Sequence, residues 1–202
     1  MANVKRGNEI PTIDVALVTI TGKDGIEMGL KTASKLGVNP VTETTDAVRL
    51  VVKGKLIAQK PETTTLVGNT LVLTDNVFIP ELVKILQGGT IKYWGEEDHT
   101  SEVDEDQGFG VARYTPPLAG SDDKGEVFIT KAYSAIYNAA GLIEGYECIE
   151  YPNCQGVPIS MSSEDNVFRA PEYTINSAPD KGEAPYEITY PKELPVLPEV
   201  GA

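Results

Sequence analysis

Residues 64–93, TTLVGNTLVLTDNVFIPELVKILQGGTIKY, decide the fold, because their apolar period changes once along the stretch. Leu71 and Leu73 alternate with Val72 and Thr74, as in a strand; Ile79, Leu82, Val83 and Leu86 then fall on one helical stripe. Pro80 suits the first helical position, where a missing N–H costs nothing, and Glu81 suits the positive end of the helix dipole. Gly88 and Gly89 supply a stop. A helix of about nine residues, roughly two and a half turns, does not stand alone in water. The stretch therefore reads strand, short helix, strand, with the helix a plug on a β framework.

Toward the N-terminus, AVRLVVKGKLIAQ (residues 47–59) reads as a hairpin with Gly54 at its turn, Val48, Leu50 and Val52 alternating with Arg49, Val51 and Lys53. Apolar residues on both faces with basic residues between them suit an edge that packs against something outside its own domain; an ordinary sheet hairpin is the competing reading. Residues 30–46 have no consistent period and are expected to be loop or arm. Such a segment offers too little apolar surface to offset roughly 1 to 2 kcal/mol per residue of backbone ordering, so residues 33–60 are expected to order only against a neighbour. Residues 13–20, IDVALVTI, read as a buried strand followed by a turn at Lys23-Asp24-Gly25, and residues 1–12 as a polar arm.

Toward the C-terminus, residues 113–117 read as a rigid connector, residues 125–138 and 142–151 as the clearest hairpin, and residues 156–161 as a continuation of the sheet. Residues 184–190 read as a last strand, and PKELPVLPEVGA (residues 191–202) as an extended tail. The sequence DNVF occurs at residues 75–78 and again at 165–168, where Asp-Asn can make a side-chain turn before Val and Phe re-enter the core. Many strands and one short helix make a mainly β, α+β chain of one domain, residues 1–202.

With 41% apolar residues the chain has enough to build a core, and 19 Gly with 14 Pro provide for many turns. No apolar run reaches the about 18 to 20 residues of a membrane span, and the N-terminus lacks a signal-peptide core, so a cytoplasmic, soluble chain with no membrane partner is expected. Cys148 and Cys154 flank a turn-like Tyr-Pro-Asn and are expected to be free thiols. The net charge of −13 is unevenly placed, at +3 in residues 1–60 and −16 in residues 61–202. Such asymmetry suits charge-complementary self-association, and the overall sign argues against tight nucleic-acid binding.

Little in the sequence points to catalysis. His99 is the only histidine, so no histidine-rich zinc site can form, and neither GxSxG, a P-loop nor GxGxxG occurs; Gly108-Phe109-Gly110 lacks the helix of a phosphate cradle. Residues 96–106 carry Glu96, Glu97, Asp98, Glu102, Asp104, Glu105 and Asp106 with no cation, a candidate acidic electrostatic surface. A calcium loop would need a Glu where position 115 is Thr, so no metal is expected. Neither catalytic residues nor a cofactor are expected. Trp94 beside Tyr93 reads as core or interface, or as a sugar-stacking platform.

Three segments, GKLIAQKPETTTLVGNTLVLTDNVFIPELVKILQGGT (residues 54–90), YTPPLAGSDDKGEVF (114–128) and YPNCQGVPISMSSEDNVFRAPEYTINSAPDKGEAPYEITY (151–190), resemble the major tail tube proteins of long-tailed phages and prophages of Gram-positive bacteria. The resemblance spans about residues 10 to 190. It implies a β-sandwich or barrel-like fold with one flanking helix, six subunits per ring with inner sheets joined in a barrel, and rings stacked through hairpins and terminal arms. It further implies a virion component assembled in the host cytoplasm, with tape-measure, tail-tip and tail-terminator proteins as partners and DNA passing through the lumen without specific binding. Arg49, Lys53 and Lys55 are then the candidate inter-ring contacts. A monomeric carbohydrate- or receptor-binding β-sandwich, using Trp94 and tyrosines, and an acidic-site hydrolase are the competing readings.

Overall fold

The computed structural model describes residues 10–93, 110–161, 165–166 and 169–197. Its strands, in chain order, are β1 (Thr12–Thr21), β2 (Glu27–Leu30), β3 (Ala33–Thr45), β4 (Val48–Val52), β5 (Lys55–Lys60) and β6 (Thr63–Asp75). After the helix α1 (Pro80–Gln87) come β7 (Thr90–Tyr93), β8 (Val111–Thr115), β9 (Phe128–Tyr137), β10 (Ile143–Gly156), β11 (Glu172–Ser177) and β12 (Glu187–Thr189). The fold is mainly β, and α1 is the single helix among the described residues.

One large antiparallel sheet runs in the order β2-β1-β9-β10-β11-β6-β3, with β12 added beside β10; β4 pairs with β5, and β7 with β8. Only Lys31 and Thr32 separate β2 from β3, so the two ends of the sheet are joined by a short link, and β1 comes into contact with β3. The sheet therefore rolls on itself around one main core. Val18, Ile20 and Phe128 from one half meet Leu71, Leu73, Tyr173 and Ile175 from the other. The plug is α1, which buries Leu82, Val83 and Leu86 in that core.

The local signals of the helix act as expected. Ile79 is extended at the N-cap (φ −117°, ψ 105°), Pro80 occupies the first turn, and Gly88 closes the helix at φ 83° with its N–H on the Lys84 carbonyl at 2.8 Å. The Tyr114 hydroxyl donates to the Gly88 carbonyl at 2.9 Å and accepts from Gln87 Nε2 at 2.8 Å, pinning the helix end to β8. Gly125 and Gly156 lie so close to the helix that a Cβ on either would collide with the Leu86 backbone. Two bare backbones thus let α1 sit directly on the sheet.

Several expectations are corrected. Residues 33–45 are not loop but strand β3, in register with β6 from Ala33↔Asp75 to Thr45↔Thr63. Its polar run with Gly37 and Pro40 is compatible with an edge strand, which needs only one ladder and tolerates a proline. The connector at residues 113–117 belongs largely to β8, which pairs with β7. Tyr151-Pro152-Asn153 is not a turn but a bulge within β10, Asn153 taking φ 46°; across it the register shifts and Cys154 pairs with both Phe128 and Ser177. The strand expected over residues 156–161 stops at Gly156, and β11, which no local sequence signal announces, fills the sheet between β10 and β6.

Cys148 and Cys154 are free and buried, on opposite faces of β10: Cys154 in the main core, Cys148 in a smaller cluster with Leu17 and Tyr133. Asp75 makes the expected side-chain turn, its Oδ1 accepting from Val77 N–H at 3.2 Å. In the second DNVF, Val167 and Phe168 lie outside the described residues, as do residues 1–9 of the N-terminal arm and 198–202 of the tail.

Candidate functional site

Beyond the β3 bulge between Val41 and Thr42, β3 and β6 leave the body together as a two-stranded stalk. All residues from Thr42 to Thr65 are exposed except the half-buried Ala47. Hydroxyl pairs lace the stalk: Thr44 to Thr64 at 3.1 Å, Thr45 to Thr63 at 3.1 Å, with Thr65 Oγ1 donating to the Glu43 carbonyl at 3.2 Å. The stalk continues into the β4–β5 hairpin, whose two-residue turn is Lys53-Gly54. Both turn residues have positive φ, 50° and 77°, matching the right-handed twist of the strands. At roughly 3.3 Å per residue, the path from Thr42 to Val52 has a contour of about 35 Å.

Arg49, Lys53 and Lys55 are all brought to this hairpin and are exposed: Arg49 opposite Gln59, Lys53 in the turn, Lys55 opposite Val52. Between Ala47 and Lys60 there is no acid, so the hairpin is basic while the whole chain carries −13. Its large apolar residues are also in solvent: Val48 (65%), Ile57 (61%), Val51 and Leu56 (56% each), Leu50 (54%) and Val52 (48%). An isolated two-stranded ribbon is marginal in water, and one with both faces apolar and uncovered gains nothing from burial. The arm thus leaves its apolar side chains in solvent.

The seven acids at residues 96–106, together with Trp94 and His99, lie outside the described residues. Of the exposed tyrosines a stacking platform would need, Tyr93 ends β7 in one sheet, while Tyr186 and Tyr190 flank β12 in another. A cavity of about 660 Å³ opens at the C-terminal end of α1, lined by Leu86, Gln87, Pro116, Pro117 and Pro158, with Asp123 and Lys124 at its polar side. Among the described residues no group of three or more His, Cys, Asp or Glu could hold a metal ion. The titratable groups with displaced pKa values are core groups rather than cavity groups. Burial pushes the Tyr151 phenol up to about 12, and burial likewise raises Tyr133, Tyr173 and the Cys154 thiol.

No protein-family model matches the chain, and no curated protein matches it. Among solved structures it aligns with a chain from "Cryo-EM structure of the anti-feeding prophage (AFP) baseplate, 6-fold symmetrised", at 9% identity over 93% of each chain, with a TM-score of 0.28. A similarity of that size carries no argument about function. No helix among the described residues is long and apolar enough to cross a membrane.

Proposed function

We propose that the chain is a structural subunit that self-assembles as stacked hexameric rings into a phage tail tube, the conduit through which DNA passes into the host. The observation that carries this reading is the projecting arm: a basic, doubly apolar hairpin on an otherwise acidic chain. An apolar ribbon in water gains free energy only when a partner covers it, and another copy of this chain offers the complementary charge. Two further features support it. The exposed edge strand β3 and the short edge strand β2 are the ends at which copies could pair, closing edges that otherwise invite uncontrolled association. The residue resemblance in three segments points to the same family.

In this reading Arg49, Lys53 and Lys55 meet acids of the adjoining ring, and the acids at residues 96–106 belong to a surface that repels phosphate, so that DNA slides rather than sticks. Tape-measure, tail-tip and terminator proteins are the further partners, the tail of the virion is the final location, and no catalysis is assigned. Negative-stain electron microscopy of the purified chain tests the reading. Hollow filaments with a regular axial repeat are expected, whereas isolated particles at every concentration would count against it.

A further inference from the structure

Residues 192–197 join no strand, yet they are not free. After β12 the Pro191 carbonyl accepts from the Tyr146 N–H at 2.8 Å, so the chain is still tied to β10. From there it crosses the face of the sheet turned away from the main core. Leu194 and Leu197 pack on Leu17 of β1, Tyr133 of β9 and Cys148 of β10, a second small apolar cluster. Leu197 reaches β2, where a Cβ on Gly29 would run into its side chain, with Leu197 Cγ at 2.9 Å.

The length of the segment suffices for the crossing. From β10 over β9 and β1 to β2 is three strand spacings, about 14 Å at roughly 4.8 Å each. Residues 192–197, with a bend at Lys192 and Glu193, span at most about 17 Å at roughly 3.3 Å per residue. Pro191, Leu194, Pro195 and Leu197 are half-buried while Lys192, Glu193 and Val196 are exposed, Val196 by 97%. Leu194 and Leu197, three residues apart, both face the sheet. The prolines at 191, 195 and 198 narrow the backbone freedom of the unbound segment, which lowers the entropy lost on seating. The floor of the slot is shaped to match: Gly29 leaves the gap for Leu197, and Thr19 beneath is wholly buried.

We propose that this face is a binding slot for an extended proline-rich peptide carrying two leucines three residues apart. Its occupant is the chain's own residues 192–197, a removable strap that seals Cys148. The slot lies apart from the arm, and its reading does not rest on the tube proposal.

The two cysteines provide the test, since Cys148 lies under the strap and Cys154 lies in the main core on the opposite face. The rate of reaction with Ellman's reagent is measured for the full chain and for a variant ending at Pro191, in Cys148→Ser and Cys154→Ser backgrounds to assign each thiol. Removal of the strap should speed Cys148 at least tenfold and leave Cys154 slow. A synthetic peptide of residues 191–202 should restore protection in trans, and the same peptide with alanine at both leucines should not. In the full chain, Gly29→Ala should speed Cys148 by expelling Leu197, and in the shortened chain it should add nothing. If the shortened chain fails to fold, Gly29→Ala and a Leu194→Ala/Leu197→Ala pair in the full chain decide the matter. The slot is overturned if Cys148 stays slow without its strap, if both thiols become reactive together, or if the peptide gives no protection.

Discussion

Gly125 and Gly156 set how closely α1 can approach the sheet, because their hydrogens occupy space that any Cβ would contest with the Leu86 backbone. Gly156→Ala should therefore move the helix or strain β10 and lower stability by about 1 to 3 kcal/mol, the usual cost of overpacking, read as a lower urea midpoint with an unchanged slope. Tyr151 makes a second prediction. Burial, then the nearby Tyr186, Cys154 and Glu147, raise its phenol to about 12, above the ordinary 10 of an unfolded tyrosine. Folding therefore favours the protonated phenol. Its contribution is intact below pH 10 and is lost as pH climbs from 10 toward 12, with Tyr133, Tyr173 and Cys154 shifted in the same direction. Tyrosinate absorbance should rise together with loss of β circular dichroism, and Tyr151→Phe should move that alkaline transition upward. A tyrosinate signal that titrates fully near pH 10 while the fold persists would contradict the assignment.

Elements differ in how plainly the sequence announces them. The helix is legible because its signals are local: the stripe Leu82, Val83, Leu86, proline at its start, glycine at its end. The β9–β10 hairpin is legible because its partners are neighbours in sequence, and the β4–β5 hairpin because Gly54 stands between two short apolar runs. Strand β3 is hidden because an edge next to solvent selects no apolar alternation, and β11 because its partners, Asn69–Thr74 and Cys154–Gly156, are set by distant pairing. For the candidate site, the basic residues of the arm could be read directly, whereas the path of residues 192–197 over the sheet could not, since it depends on a gap at Gly29. The arm carries its own prediction. Reversing Arg49, Lys53 and Lys55 to Glu should block polymerisation while leaving the melting temperature nearly unchanged, since exposed charges contribute only about 0 to 1 kcal/mol each to folding. Normal polymers from the triple variant, or loss of the fold, would each be inconsistent with a docking arm.

The molecule as a whole divides its labour between a rolled sheet with a conventional core and a projecting ribbon with none of its own. Its charge is divided likewise, basic on the ribbon and acidic elsewhere. If the acids act through their field rather than through a bound cation, thermal melts and assembly with and without EDTA should coincide; a large fall in melting temperature on chelation would revive a metal at residues 96–106. Raising salt should slow assembly, because screening at about 8 to 10 Å weakens the attraction between arm and body. Self-assembly itself is measured most directly by sedimentation velocity over a concentration series that runs from dilute to millimolar, without and with tail-tip nuclei. Monomer or mixed small species when dilute, passing to a large, hollow polymer when concentrated or nucleated, is the expected result; a strictly monomeric species throughout, nuclei included, would contradict the tube.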